Sequence, residues 1–177
     1  YNYKDNFKDI TLTELDKKNN FELKKKFKNS KIKISKSFTS NIKKKFNTIM
    51  YMNVLEHIKN DKKEIKFALE KLNRDGHLII LVPAHNKLFT KFDKEVGHHR
   101  RYDISFFKNL SLGKCELKEL YYLDCMGYFL YYLNKIFFKN ETYPSEFKVF
   151  IWDKVFTPFT LILDKLLVGL LNLKKYL

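Results

Sequence analysis

Two apolar runs separated by one amphipathic stretch constrain this chain more than any other feature. Residues 46–52 read FNTIMYM and residues 77–82 read HLIILV. Runs of this kind, apolar at nearly every position rather than at every second one, suit strands covered on both faces, the usual situation in a parallel sheet. Between them, residues 61–72 (DKKEIKFALEKL) place Ile65, Ala68, Leu69 and Leu72 on one helical face. Gly76 stands where a glycine C-cap would end that helix, and Pro83 stops the second run. Strand, helix and strand at this spacing predict a parallel βαβ unit with a right-handed crossover.

The rest of the first half extends the pattern. Residues 9–13 (DITLT) read as a short strand that opens into a loop at Glu14, and residues 31–36 (KIKISK) alternate with period two. A weakly amphipathic helix over 19–27 lies between them, with Phe21, Leu23 and Phe27 set among lysines. Beyond Pro83 the sequence predicts a polar loop through Tyr102, a helix over 104–110 and a strand over 115–123. The economical architecture is α/β, one open and mostly parallel sheet covered on both faces. With 177 residues and 45% hydrophobic content the chain suits a single domain.

Composition narrows the function classes. Cys115 and Cys125 are the only cysteines, with no CxxC pair, so neither a disulfide framework nor a zinc cluster is expected and a reducing cytoplasm fits best. The chain starts at Tyr1, and YNYKDNFKDI carries no apolar signal region, so the sequence reads as a fragment or a processed product. A net charge of +15 is compatible with phosphate-rich partners. The lysines are scattered, however, and no aromatic-and-basic RNA-binding signature accompanies them, so a solvated lysine surface in a Lys-, Asn- and Ile-rich composition is the simpler reading and nucleic acid is not favoured. Residues 147–173 are apolar but interrupted by Asp153, Lys154, Asp164 and Lys165, short of the run of about 20 residues that crosses a bilayer. Peripheral membrane contact through this part, or a lid made with the aromatic residues 127–138, stays open.

The stretch 46–58 (FNTIMYMNVLEHI), followed by 72–84 (LNRDGHLIILVPA), resembles the fourth strand, helix and fifth strand of class I S-adenosylmethionine-dependent methyltransferases. The resemblance continues into Asp93 and 97–102 (GHHRRY), similar to the D-x-x-x-G-H-x-R-R-Y phrase of one subgroup, and reaches back to 10–19 (ITLTELDKKN), similar to the family's second strand and its acidic end. It covers roughly residues 9–130. It implies a Rossmann-like fold, S-adenosyl-L-methionine as cofactor, and methyl transfer to a small or lipid-linked acceptor. On this resemblance Glu14 holds the ribose hydroxyls, with Asp16 in reserve, and Asn53, Val54 and Glu56 line the methionine end. Arg100, Arg101 and Tyr102 would then bind the substrate, while His98, Asp93 or His57 accepts a proton from the acceptor.

Each residue also has a plainer reading. Glu14 can be a solvated surface acid, Glu56 and His57 can bond within their loop, and an Arg can pair with Asp93 while Tyr102 packs in the core. A metal is not expected at His98, His99 and Asp93, since adjacent histidines rarely face one ion and no HExxH spacing is present.

The sequence also departs from the family. Its five glycines, at 76, 97, 113, 127 and 169, form no GxGxG phrase, so the first strand and the glycine loop that lets backbone approach the cofactor are missing. In the family's strand order that first strand lies between the second and the fourth. Asn47 stands where the family usually has Asp, and no acid follows the third strand, leaving Ser37 and Phe38 as the nearest substitutes. Weak or absent cofactor binding is therefore expected. A catalytically inactive methyltransferase-like interaction module and a peripheral membrane protein are the competing expectations.

Overall fold

The run at 46–52 is a strand, and it sets the frame for the elements around it. In the computed structural model, which describes residues 9–123, 127–128, 131–132, 145–151, 154–155 and 158, β1 is Thr11–Thr13, α1 Lys17–Lys26, β2 Lys33–Ser35, β3 Phe46–Met52, α2 Asp61–Glu70 and β4 Leu72–Leu81. Among the described residues the short helices α3 Lys91–Glu95, α4 Ile104–Lys108 and α5 Glu146–Ile151 follow. The fold is mixed α/β, and both strand pairs are parallel. The chain is organised as two compact units, Tyr1–Ile49 with Lys63–Leu78, and Met50–Lys62 with Ile79–Leu177.

In the first unit β1 pairs with β2 in the register Thr11 to Lys33, Leu12 to Ile34 and Thr13 to Ser35. The connection is α1, which starts two residues earlier than its apolar pattern suggests because the Asp16 carboxylate accepts from the Asn19 amide at 2.9 Å and caps it. Lys24, Lys25 and Lys26 fill the last turn, the end where cations favour the helix dipole. Asn20, on α1, is buried and its amide donates to the carbonyls of Glu14 and Ser35, tying together the chain ends that leave β1 and β2.

β3 and β4 form the second parallel pair, with the Phe46 amide donating to the Lys71 carbonyl at one end and the Asn53 amide to the Leu81 carbonyl at the other. α2 joins them and buries Ile65 and Ala68, two of the four positions on its predicted face. Leu72 belongs to β4, since the helix closes earlier, with the Lys71 amide reaching the carbonyls of Phe67 and Ala68. Gly76 is therefore not the helix cap but an interior residue of the strand. A Cβ there would lie 3.0 to 3.2 Å from the carbonyl oxygens of Asn73, Asn47 and Phe46, and the preceding Asp75 is left-handed at φ 61°. β4 has ten residues against seven in β3, and this kink near its start takes up the surplus.

The predicted polar loop after Pro83 contains more structure than its composition suggests. Thr90 and Asp93 form a capping box that starts α3. The Tyr102 amide then donates to the Pro83 carbonyl and the His85 amide to the Tyr102 carbonyl, so this returning segment makes one parallel bridge, Ala84 to Tyr102. α4 presents Phe106 and Phe107 to the Tyr102 ring at 4.9 and 5.6 Å between centroids. The strand expected over 115–123 does not form: these residues join no ladder among the described residues, and Leu117, Tyr121, Tyr122 and Leu123 are exposed. Without a neighbouring edge to satisfy its amides, apolar character alone does not make a strand. Most of 127–138 and 147–173 lies outside the described residues. Among the described residues no helix is long and apolar enough to cross a membrane.

Candidate functional site

The candidate residues fall into two groups, one in each unit. In the first unit the Glu14 side chain accepts from the Asp16 amide at 2.9 Å, and the Asp16 carboxylate is engaged as the cap of α1. Ser37 and Phe38 lie in the irregular segment after β2, with the Phe38 ring 59% exposed. Glu14 and Ser37 thus follow the carboxyl ends of β1 and β2, the end of a parallel sheet where ligands usually bind.

The second group surrounds the carboxyl ends of β3 and β4. The chain leaves β3 through Asn53, left-handed at φ 52°, a conformation that Asn tolerates better than most residues, and Val54 is exposed. A single turn of 3-10 helix, Leu55–His57, then drives Leu55 and Glu56 fully into the interior while His57 stays at the surface. The GHHRRY loop is fastened to this turn by backbone and side-chain hydrogen bonds. The His99 amide donates to the Glu56 carbonyl at 2.8 Å, and the buried Tyr102 hydroxyl lies 3.0 Å from the Leu55 carbonyl and 2.9 Å from the Asp61 carboxylate. Burial, and then the Asp61 carboxylate, push the Tyr102 hydroxyl far above the usual tyrosine range, so it stays protonated.

Asp93 is the hub. It is fully buried, yet it accepts from the Thr90 amide and hydroxyl, from Arg101 Nε at 2.8 Å, from His98 Nδ1 at 2.9 Å and from the Tyr131 hydroxyl at 3.3 Å. Burial alone would raise its carboxyl. The bonds from Arg101, His98 and Thr90 outweigh that and hold it below the ordinary carboxylate range. This carboxylate holds Thr90, His98, Arg101 and Tyr131 together. Arg101 also stacks on the Tyr131 ring at 4.2 Å. Tyr102, expected among the substrate-binding residues, is in the core, and its hydroxyl is used internally. Of the readings open for this loop, the paired one describes Arg101 and Tyr102.

The remaining candidates keep free chemistry. Asp93 binds His98 through Nδ1 and leaves Nε2, which points to Glu56 Oε1 at 3.9 Å. The His57 ring sits edge-on to that of His98 at 4.7 Å, and its Nδ1 is 3.2 Å from the Gly97 carbonyl. Arg100, 40% exposed, meets Asp61 at 3.3 Å and also opens onto a depression of about 490 Å³ lined by Lys62, His99, Arg101, Asp103 and Phe106 among others. Cations dominate that lining. Reading the sequence alone missed Thr90, Asp61, Asn20 and Tyr131; only Thr90 carried a local signal, its capping-box spacing to Asp93.

No protein-family model matches the chain, and no curated protein matches it in sequence.

Proposed function

We propose that the chain is built for methyl transfer from S-adenosyl-L-methionine to a small or lipid-linked acceptor carrying an anionic group, with weak cofactor binding in this chain. The observation that carries the reading is the fastening of the GHHRRY loop to the Asn53–His57 turn beyond the carboxyl ends of two parallel strands. The two phrases that resemble the methyltransferase subgroup are far apart in sequence yet belong to one side-chain network. Strand pairing supports the reading as well. Both ladders, β1 with β2 and β3 with β4, are parallel, as an open α/β sheet requires.

On this reading Asn53 and Val54 border the methionine end of the cofactor. Lys62, His99 and Arg100 draw in the anionic part of the acceptor. Methyl transfer from a sulfonium needs alignment and water exclusion more than covalent help, and a base when the acceptor is a hydroxyl. His98, oriented by Asp93, and His57 are the bases available.

Amide NMR spectra recorded with millimolar S-adenosylhomocysteine test the proposal at the affinity it expects. Shifts at Asn53 and Val54, with Arg74 and Lys114 unmoved, support it. An unchanged spectrum would overturn it, and tight stoichiometric binding would overturn its statement of weak affinity.

A further inference from the structure

Glu56 is the anomaly of this molecule. Its side chain is fully buried, and neither carboxylate oxygen has a hydrogen-bond partner among the described residues. A buried carboxylate in that condition is strongly unfavourable unless a cation meets it. The nearest cationic candidate, His98 Nε2, stands 3.9 Å from Oε1, beyond hydrogen-bond reach. One ligand atom from each of Glu56, His57 and His98 falls within 4.8 Å of the others.

We propose that Glu56, His57 and His98 bind a divalent first-row transition ion such as Zn²⁺. Donors about 2.1 Å from one tetrahedral ion stand about 3.4 Å apart, so the 3.9 Å between Glu56 and His98 closes with a shift of about 0.5 Å, and the widest separation, within 4.8 Å, closes with about 1.4 Å or less. The tautomers agree with this assignment. A carbonyl oxygen and an ionised carboxylate only accept, so the contacts with Gly97 and Asp93 place the proton of each ring on Nδ1 and leave each Nε2 as a lone pair. Asp93 then completes a carboxylate–histidine–metal arrangement of the kind that orients an imidazole ligand. Two imidazoles and one carboxylate suit Zn²⁺ and its neighbours better than Mg²⁺ or Ca²⁺, which prefer oxygen donors. Burial is graded from exposed His57 through His98 to enclosed Glu56, which supplies an entry path. Three protein ligands leave a coordination position for water or substrate. His99, adjacent to His98, is exposed and gives only its backbone amide, to the Glu56 carbonyl.

The inference stands on side-chain geometry and does not depend on the methyl-transfer reading. Its test is calorimetric titration of the chain with Zn²⁺, together with the visible absorption of bound Co²⁺. One equivalent of saturable Zn²⁺ is expected, with the intense visible bands of low-coordinate Co²⁺. Glu56→Gln and His57→Ala should each abolish both signals, and the second changes an exposed side chain. Asp93→Asn should weaken Zn²⁺ by about 10- to 100-fold. His77→Ala and His99→Ala should leave it unchanged. Absence of saturable binding of either ion, or equal binding by Glu56→Gln or His57→Ala, overturns the proposal.

Discussion

Arg100 and Arg101, neighbours in the chain, serve different carboxylates: Arg100 Nε lies 3.3 Å from Asp61, and Arg101 Nε lies 2.8 Å from Asp93. The first pair tethers the loop to the start of α2. The second closes a buried knot that holds α3, His98 and Tyr131 together. Their exposures differ, 40% for Arg100 against 10% for Arg101, and so should their consequences.

Arg101→Ala uncouples a buried carboxylate from its closest cation and is expected to cost about 3–5 kcal/mol, whereas Arg100→Ala should cost less, because Arg100 is half-exposed and buried Asp61 keeps the Tyr102 hydroxyl and the Lys62 amide. Urea denaturation of both variants checks the contrast, and equal losses would contradict it.

Acid should act on the same knot. The Asp93 carboxyl is held below its ordinary range in the folded state, so its contribution is complete above the unfolded value of about 3.9 and is lost as pH falls through the folded value. Urea midpoints measured from pH 6 down to pH 2.5 should show a fall below about pH 4 that is shallower in Asp93→Asn. Parallel curves for the two proteins would remove Asp93 from the acid limb.

Tyr102→Phe keeps the ring against Phe106 and Phe107 but removes the hydroxyl that bridges Leu55 and Asp61. A loss of about 1–3 kcal/mol is expected, because buried acceptors are left without their donor. Faster amide exchange at residues 99 and 102 should accompany it if the hydroxyl fastens the loop.

At Gly76 even one methyl group meets three backbone oxygens at 3.0 to 3.2 Å, and backbone cannot rotate aside as a side chain can. Gly76→Ala should therefore destabilise by about 1–3 kcal/mol in thermal or urea unfolding. A neutral substitution would mean that the start of β4 is looser than its geometry implies.

Much of the α/β frame was legible because its signals are local. The unbroken apolar run of β3 has the bounds Phe46–Met52 in both sequence and structure, and the 3.6-residue spacing in α2 marks the buried Ile65 and Ala68. Gly76 misled because a glycine after a helix and a glycine required by two close backbones look alike in one dimension. Residues 115–123 misled for the converse reason: apolar character predicts a strand, but only a partner edge makes one. At the site, the chemistry at 53–57 and 93–102 was visible as motifs, while the choice between open and enclosed roles was not. Burial of Glu56 and Asp93 depends on a turn and a capping box that pull charged residues inward against their ordinary preference.

The placement of Tyr131 also sets how far the chain can be shortened. Its hydroxyl meets both Thr90 and Asp93, and its ring lies under Arg101, so Tyr131 is part of what holds α3 in place. A deletion ending before Tyr131 would uncover the guanidinium of Arg101 and one edge of the Asp93 pocket. The minimal autonomous fragment therefore extends past the motif-bearing segment, and trimming to the recognisable phrases alone would yield a domain with an unsealed interior.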